Sequence, residues 1–402
     1  MKTNMKIAPD WLAHDDVQKL FDVLEADGAQ ARIVGGAVRN CLIGSTLKSD
    51  VDFAVTSEPE DTMAQLTAAG IRVVPTGLEH GTVTAVLNDV GYEVTTLRKD
   101  IETDGRHAVV AFGTDFAVDA NRRDFTINAL YADREGVIYD YVDGLADIKT
   151  MSLRFIGNAD ERIQEDYLRI LRFFRFFAWF GKHRPDADGL KACMRLKKGI
   201  KTLSAERIWA EMHKLFAAPD PSRALLWMRQ VGVLTLLLPE SEKWGIDAIP
   251  PLMEAERDHK WPADPLIRLM AIVPKRQDSV NDIATRWRLS NAQRDRMRAW
   301  AALPAQLPKD DVALRATAYR HSTQAMIDGL YVQTAMQRDD ELAEFAKRIG
   351  NWDVPEMPVK GADLLERGYE KGPALGGKLK QIEEIWIDSD FSLDRDALLA
   401  QI

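Results

Sequence analysis

Short β-rich runs, each cut off by glycine, proline, asparagine or aspartate, fill the chain up to about residue 150 and then stop. Arg32–Val34, Val51–Val55, Ile71–Val74, Thr82–Leu87 and Tyr92–Leu97 are strand-like. Helically periodic stretches at Asp15–Glu25, Val38–Ile43 and Glu60–Ala69 sit between them. That alternation limits the first part to an α/β or α+β unit around a mixed sheet of about five strands. Beyond it the strand signal fades, and nine of the ten tryptophans lie in helically periodic runs. The fold class expected is therefore α+β, an N-terminal head followed by all-helical segments. Arg98–Asn121 reads as a long polar connection with a turn at Asp104-Gly105 and only Ala108–Phe112 suited to a strand, a length uncommon unless functional.

A chain of 402 residues has room for two to four domains. Prolines break the helical part at 219 and 221, between 239 and 251, and between 304 and 308. The divisions expected are 1–150, 151–216, 217–303 and 304–402. No window approaches the ~20 apolar residues of a membrane span. MKTNMKIAPD has no apolar core or cleavage site of a signal peptide, so a cytoplasmic protein without a membrane role is expected. Cys41 and Cys193 fit neither a metal spacing nor a disulfide framework. The net charge of −9 hides an asymmetry: Arg154 to Lys214 carries 14 Lys/Arg against 8 Asp/Glu, which leaves −15 on the remainder. This belt either meets a polyanion or forms a solvated helix face, and charge alone leaves both open.

The informative stretch is Val34-Gly35-Gly36-Ala37-Val38-Arg39, followed by Ser49-Asp50-Val51-Asp52-Phe53. A strand that ends in two glycines before a helix lets backbone amides approach a phosphate closely. Asp50 and Asp52, at i and i+2 of the next expected strand, would project from one face. Two carboxylates side by side repel unless a cation sits between them, and hard oxygen ligands at this spacing suit Mg²⁺.

These residues resemble the first motif of the class II nucleotidyltransferases of the polymerase-beta superfamily, the group that holds bacterial tRNA CCA-adding enzymes and bacterial poly(A) polymerases. GGAVRNCLIG and SDVDFAV supply the glycine pair and the paired aspartates, with Asn40 where the family usually has Asp. The resemblance continues in order: Arg122-Arg123-Asp124-Phe125-Thr126-Ile127-Asn128-Ala129, then Tyr139 to Gly144, then Glu165 to Arg172 with Arg175, then Ser204 to Ile208. Weaker similarity to the CCA-adding branch returns at Gly361 to Leu365 and Lys371 to Pro373.

The resemblance implies transfer of nucleotides from CTP and ATP to the tRNA 3′ end without a template, with two Mg²⁺ ions held by Asp50 and Asp52. Glu93, an acid inside an otherwise β-branched strand, is the candidate third carboxylate, or else guards a strand edge. Gly35, Gly36, Arg39, Arg122 and Arg123 are expected around the nucleotide, the last two opening a helix. Asp166, Arg169, Arg172 and Arg175, at i, i+3, i+6 and i+9, form one stripe if they share a helix. Asp166 and Arg169 would read the base edge, or would be an ordinary ion pair, and Arg172 and Arg175 would bind the nucleotide facing its phosphates, or be structural. Asp124, Asn128, Glu206 and Arg207 are expected in support. Arg106 is expected in support too, on a loop that accompanies the change from C to A addition in this family. No obligate protein partner is readable. His14-Asp15 lacks the companions of a metal phosphohydrolase. The alternatives are a poly(A) polymerase, an enzyme that adds only CC or only A, and an inactive RNA-binding protein.

Overall fold

The structure, a computed structural model, describes residues 1–47, 49–104 and 107–402. The chain forms two compact units. Unit one comprises Met1–Leu215 and Arg223–Leu236; unit two comprises Phe216–Ser222 and Leu237–Ile402. The expected segments 1–150 and 151–216 thus fall almost wholly in unit one.

Unit one is built on strands β1 (Lys2–Lys6), β2 (Ala31–Val34), β3 (Asp52–Val55), β4 (Arg72–Gly77), β5 (Thr82–Leu87) and β6 (Val90–Thr96). To these are added β7 (Arg98–Asp104), β8 (His107–Phe112), β9 (Leu130–Ala132) and β10 (Val137–Asp140). Its helices are α1 (Asp15–Leu24), α2 (Gly36–Leu42), α3 (Pro59–Ala68), α4 (Phe116–Arg122), α5 (Gly144–Thr150), α6 (Ala159–Glu165), α7 (Leu168–Phe180), α8 (Ala187–Leu196) and α9 (Ala205–Phe216). Eight strands make one sheet in the order β1-β10-β9-β2-β3-β6-β5-β4. β3 and β6 run parallel and the other ladders are antiparallel.

All five expected strands exist, but the sheet has eight. β1 is polar and exposed along most of its length, and β9 has only three residues, so neither shows the alternation that marks a strand in sequence. Pairing makes them strands. The supposed long connection is also corrected: β7 and β8 pair antiparallel from Arg98↔Phe112 to Asp104↔His107. Arg106 lies outside the described residues.

The central strands are apolar on both faces because both are covered. Ile33, Phe53, Val55, Val83 and Val94 pack with Val17, Leu20, Phe21 and Leu24 of α1 and Leu66 of α3. Val34, Ala54, Leu97 and Tyr131 pack on the opposite face with Phe116 and Ala120 of α4. The second face also holds the acidic positions, as shown below. α7 buries Ile170, Leu171, Phe173, Phe174, Phe176, Phe177 and Phe180, and its Phe173 stacks on Phe155 with centroids 5.3 Å apart.

α6 ends at Glu165, and Asp166 is extended (φ −154°, ψ 108°) before α7 begins at Leu168. Asp166 therefore does not share a helix with Arg169, contrary to the stripe expected from spacing; its carboxylate instead accepts from Leu168 N at 3.0 Å.

Among the described residues of unit two, every secondary-structure element is a helix. Trp287 and Trp300 are fully buried in it. Arg268, also buried, is matched by Glu256 with Nε–Oε1 at 3.0 Å. No helix of the described residues is long and apolar enough to cross a membrane.

Candidate active site

The site begins where β2 stops. Gly35, at φ +80°, takes a backbone conformation that side-chain-bearing residues rarely adopt. A Cβ on Gly36 would lie 2.2 Å from Ser49 Oγ, so any larger residue would have to turn the Ser49 side chain away where the segment before β3 passes the start of α2. Val34 pairs with Asp52, which sets Asp52 beside that turn as the first residue of β3.

Asp50, expected on the strand, precedes it and is exposed. The parallel register Phe53↔Val94, taken one residue back, sets Asp52 next to Glu93. Asp52 and Ala54 share the sheet face opposite to Phe53 and Val55. Burial, and then the neighbouring Glu93 and Asp50 carboxylates, push the Asp52 carboxyl up to about 7, while Arg123 pulls the other way. The three expected carboxylates are thus brought within electrostatic reach of one another.

Among the described residues, no group of three or more His, Cys, Asp or Glu converges as a closed metal cage. The donor set fits an ion of another kind. Mg²⁺ is bound through one or two carboxylates and keeps waters and substrate phosphates as its remaining ligands. A half-buried aspartate whose carboxyl is pushed up first by burial and then by its acidic neighbours is a donor set short of positive charge.

Arg122 and Arg123 close α4 rather than open a helix, and the Arg123 N–H is taken by Ala120 O at 3.2 Å. They are organised by a residue that spacing did not single out. Asp119, 1% exposed, accepts from Arg122 Nε at 2.8 Å, Arg123 Nε at 3.0 Å and Tyr131 Oη at 2.7 Å. These partners outweigh its burial and hold the Asp119 carboxyl down at about 2. The signal was present as an acid three and four residues before two arginines on one helix.

A second network joins α2, the second motif and α7. Arg39, buried, donates to Asn128 Oδ1 and, at 2.9 Å, to Asn40 Oδ1. Asn128 donates to Asp124 Oδ1 at 3.3 Å, and Asp124 Oδ2 accepts from Arg172 Nε at 2.7 Å. Arg39, Arg172 and Arg175 all lie over the ring of Phe176, at 5.3, 5.3 and 4.1 Å from its centroid. Burial and the Arg175 charge bring the Arg39 guanidinium down to about 10. Arg175 Nε stands 2.6 Å from Glu211 Oε2, an ion pair whose N–H is not aimed at the oxygen. Glu211, buried, is the second group the sequence reading missed.

The side chains of Asp166 and Arg169 do not pair with each other, although the Arg169 backbone N–H donates to the Asp166 carbonyl at 3.0 Å. Asp166 Oδ2 accepts from Arg207 Nη2 at 2.6 Å. Arg169 pairs with Glu165 and donates to the carbonyls of Arg162 (2.7 Å) and Arg122 (3.3 Å). Arg207 is thereby tied to the junction of α6 and α7, and Glu206 lies in the first turn of α9. The third motif serves its own turn: Asp140 Oδ1 accepts from Val142 N at 3.1 Å and Gly144 N at 3.0 Å.

A glycine turn and clustered carboxylates on one face of a mixed sheet, backed by anchored arginines, define a nucleotidyltransferase. The family model described as the poly(A) polymerase head domain matches residues 31–154, and one described as a probable RNA and SrmB-binding site of polymerase A matches 185–244. The chain is 33% identical to the mitochondrial CCA tRNA nucleotidyltransferase 1 of Danio rerio, with 96% of this chain and 90% of the relative covered. It is 32% identical to the CCA-adding enzyme of Streptococcus sanguinis, over 96% of this chain and 97% of that one. The crystal structure of Bacillus stearothermophilus CCA-adding enzyme in complex with CTP superimposes with a TM-score of 0.78 at 26% identity, covering 92% of each chain. This chain belongs to the class II nucleotidyltransferase family of CCA-adding enzymes and poly(A) polymerases.

Proposed function

We propose that this protein adds C, C and A to the 3′ end of tRNA from CTP and ATP, releasing pyrophosphate. One observation carries the chemistry: a half-buried Asp52, set beside Glu93 by the parallel register of β3 and β6 and close to Asp50, whose carboxyl is pushed up by burial and by those two acids. It stands in a chain whose relatives over 96% of its length are named CCA tRNA nucleotidyltransferases. Mg²⁺, as two ions held by Asp50 and Asp52, would supply charge at the attacking 3′ hydroxyl and the triphosphate.

The chain's own groups then have separate tasks. Asp50 and Asp52 bind, with Glu93 concentrating negative charge beside them. Gly35 and Gly36 leave room for backbone close to phosphate. Arg123 and Arg122, locked by Asp119, present guanidinium to the triphosphate without a loss of side-chain freedom at the moment of binding. Arg39, Asn128, Asp124 and Arg172 act as positioning residues because they hydrogen-bond one another, and Arg175 does so through its ion pair with Glu211. Asp166 and Arg169 read the base edge. A carboxylate has about four lone-pair positions and a guanidinium five N–H donors, so the partners described above leave both with capacity. Glu206 and Arg207 support Asp166 from α9. The division into head (1–150), neck (151–216), body (217–303) and tRNA-binding tail (304–402) belongs to the same proposal, as does a cytoplasmic location.

The test is incubation of the purified protein with tRNA that ends before CCA, supplied with CTP, ATP or both. A product of three added nucleotides supports the proposal. A long A tail replaces it with poly(A) polymerase, CC or A alone with a partial enzyme, and no addition with any divalent metal with an RNA-binding protein.

A further inference from the structure

Unit two holds a cavity of about 670 Å³, within the ~300–1,000 Å³ typical of small-molecule sites. It lies along the helices Pro265–Ala271, Asn291–Ala302 and Thr323–Gln337 and the turns after the first two. Met270, Val273, Trp300, Leu303, Val332 and Met336 form its apolar lining. One ammonium stands among them: Lys275, half-buried, whose Nζ donates to Pro304 O at 2.6 Å.

The other polar groups of the cavity each have a partner within the chain. Arg276 Nε donates to Asp278 Oδ1 at 3.0 Å, and the two side chains form an exposed ion pair. Gln333 donates to Ala305 O at 2.9 Å and accepts from Leu307 N at 3.5 Å, and Gln337 donates to Gln333. Among the described residues no carboxylate pairs with Lys275, and burial alone brings its amine down to about 8. A half-buried cation without a counter-charge carries part of the cost of desolvation, and an anion brought into the cavity would offset it.

We infer that this cavity binds a small straight-chain monocarboxylate, its carboxylate on Lys275 Nζ and its chain among Met270, Trp300, Val332 and Met336. One unmatched cation calls for one negative charge rather than two. A lining in which Met270, Val273, Trp300, Leu303, Val332 and Met336 form the apolar wall calls for a largely apolar body. Only the ammonium form pairs with the ligand. Affinity is therefore full below about pH 7 and falls as the free amine loses its proton above about 8. The Arg276–Asp278 pair is neutral overall and does not titrate in this window.

Isothermal titration of the full chain with octanoate, 1-octanol and octylammonium tests this. At pH 7.0 octanoate should bind once per chain and at least tenfold more tightly than 1-octanol, with octylammonium weakest. The advantage over 1-octanol should shrink steadily from pH 7.5 to 9.5. Lys275→Met should abolish the preference, Lys275→Arg should keep it, and Met336→Trp, at a half-exposed position, should weaken both octanoate and 1-octanol. If Lys275→Met does not fold, the octanoate to 1-octanol ratio and its pH dependence in the wild type decide alone. Equal affinities, a preference that does not change with pH, indifference to Met336→Trp, or no saturable binding would each overturn the inference.

Discussion

Replacing Asp52 with asparagine should make the metal-free protein more stable while it removes activity. The Asp52 carboxyl rises from its ordinary 3.8 to about 7 because it is buried beside Glu93 and Asp50. A folded-state pKa above the unfolded one means that the native chain holds the proton more tightly. The stability this contributes is complete below about pH 3.8 and is lost as pH rises through 7. At ~1.36 kcal/mol per pH unit, full conversion gives about 4 kcal/mol as an upper limit. Asp52 keeps partial contact with solvent, so ~1–3 kcal/mol is the expected cost of its ionisation at pH 8.

Asparagine has the shape of the protonated acid and never ionises. For a folding unit of this size ~1 kcal/mol moves the melting temperature by ~2–4 °C. Asp52→Asn in EDTA at pH 8 should therefore melt about 2–12 °C above the wild type, with the gap closing by pH 4.5. Adding Mg²⁺ should raise the wild type, by ~2.7 kcal/mol at 100 times the dissociation constant, and leave the variant unmoved. CTP incorporation should disappear in the same variant. A variant no more stable than wild type at pH 8, or a gain independent of pH, would refute the electrostatic account of this site.

Asp119→Ala removes the carboxylate shared by Arg122, Arg123 and Tyr131, and should cost ~3–5 kcal/mol in urea denaturation, as breaking a buried ion pair does. In the wild type the Asp119 contribution is present above about pH 3.8 and fades as pH falls through about 2, which acid titration of the fold should register. Asp166→Ala should change the ratio of kcat/KM for CTP over UTP by about 5- to 150-fold, the worth of one bidentate base contact, and a flat ratio in a folded, active variant would take Asp166 out of base reading. Lys198→Ala and Lys201→Ala, both exposed, should each lower the salt dependence of tRNA binding by about one unit of slope. Lys197→Ala should instead act on stability, since its Nζ donates to Val231 O at 2.7 Å; equal salt effects from all three lysines would contradict this.

The parts of the fold legible in sequence are those whose cause is local or repeats with a period. β2 to β6 could be read because their apolar residues are bounded by turn formers, and the helical half because its apolar residues recur at helical spacing. The glycine pair, the two aspartates and the arginine-rich motifs could be read because chemistry needs those residue types at short separations. β1 and β9 could not, since Lys2–Lys6 has no apolar pattern and Leu130–Ala132 has no length. Each is a strand only because the partner beside it offers backbone hydrogen bonds.

Within the site, residue identity was decided by the chain, and the division of labour by tertiary contact. That Asp50, Asp52 and Glu93 are acids is a fact of sequence. That the Asp52 carboxyl is pushed up to about 7 depends first on its burial and then on a parallel register that sets Glu93 beside it across about forty residues. Spacing put Asp166 on one helix with Arg169, but an extended residue at the helix junction turned its carboxylate to Arg207, forty-one positions away. Arg39, Arg172 and Arg175 likewise look free in sequence and are bound to Asn128, Asp124 and Glu211 in the fold. Hydropathy and motif spacing report which groups a segment carries. Burial and the sign of the nearest charge decide what those groups do, and both are set by residues distant along the chain.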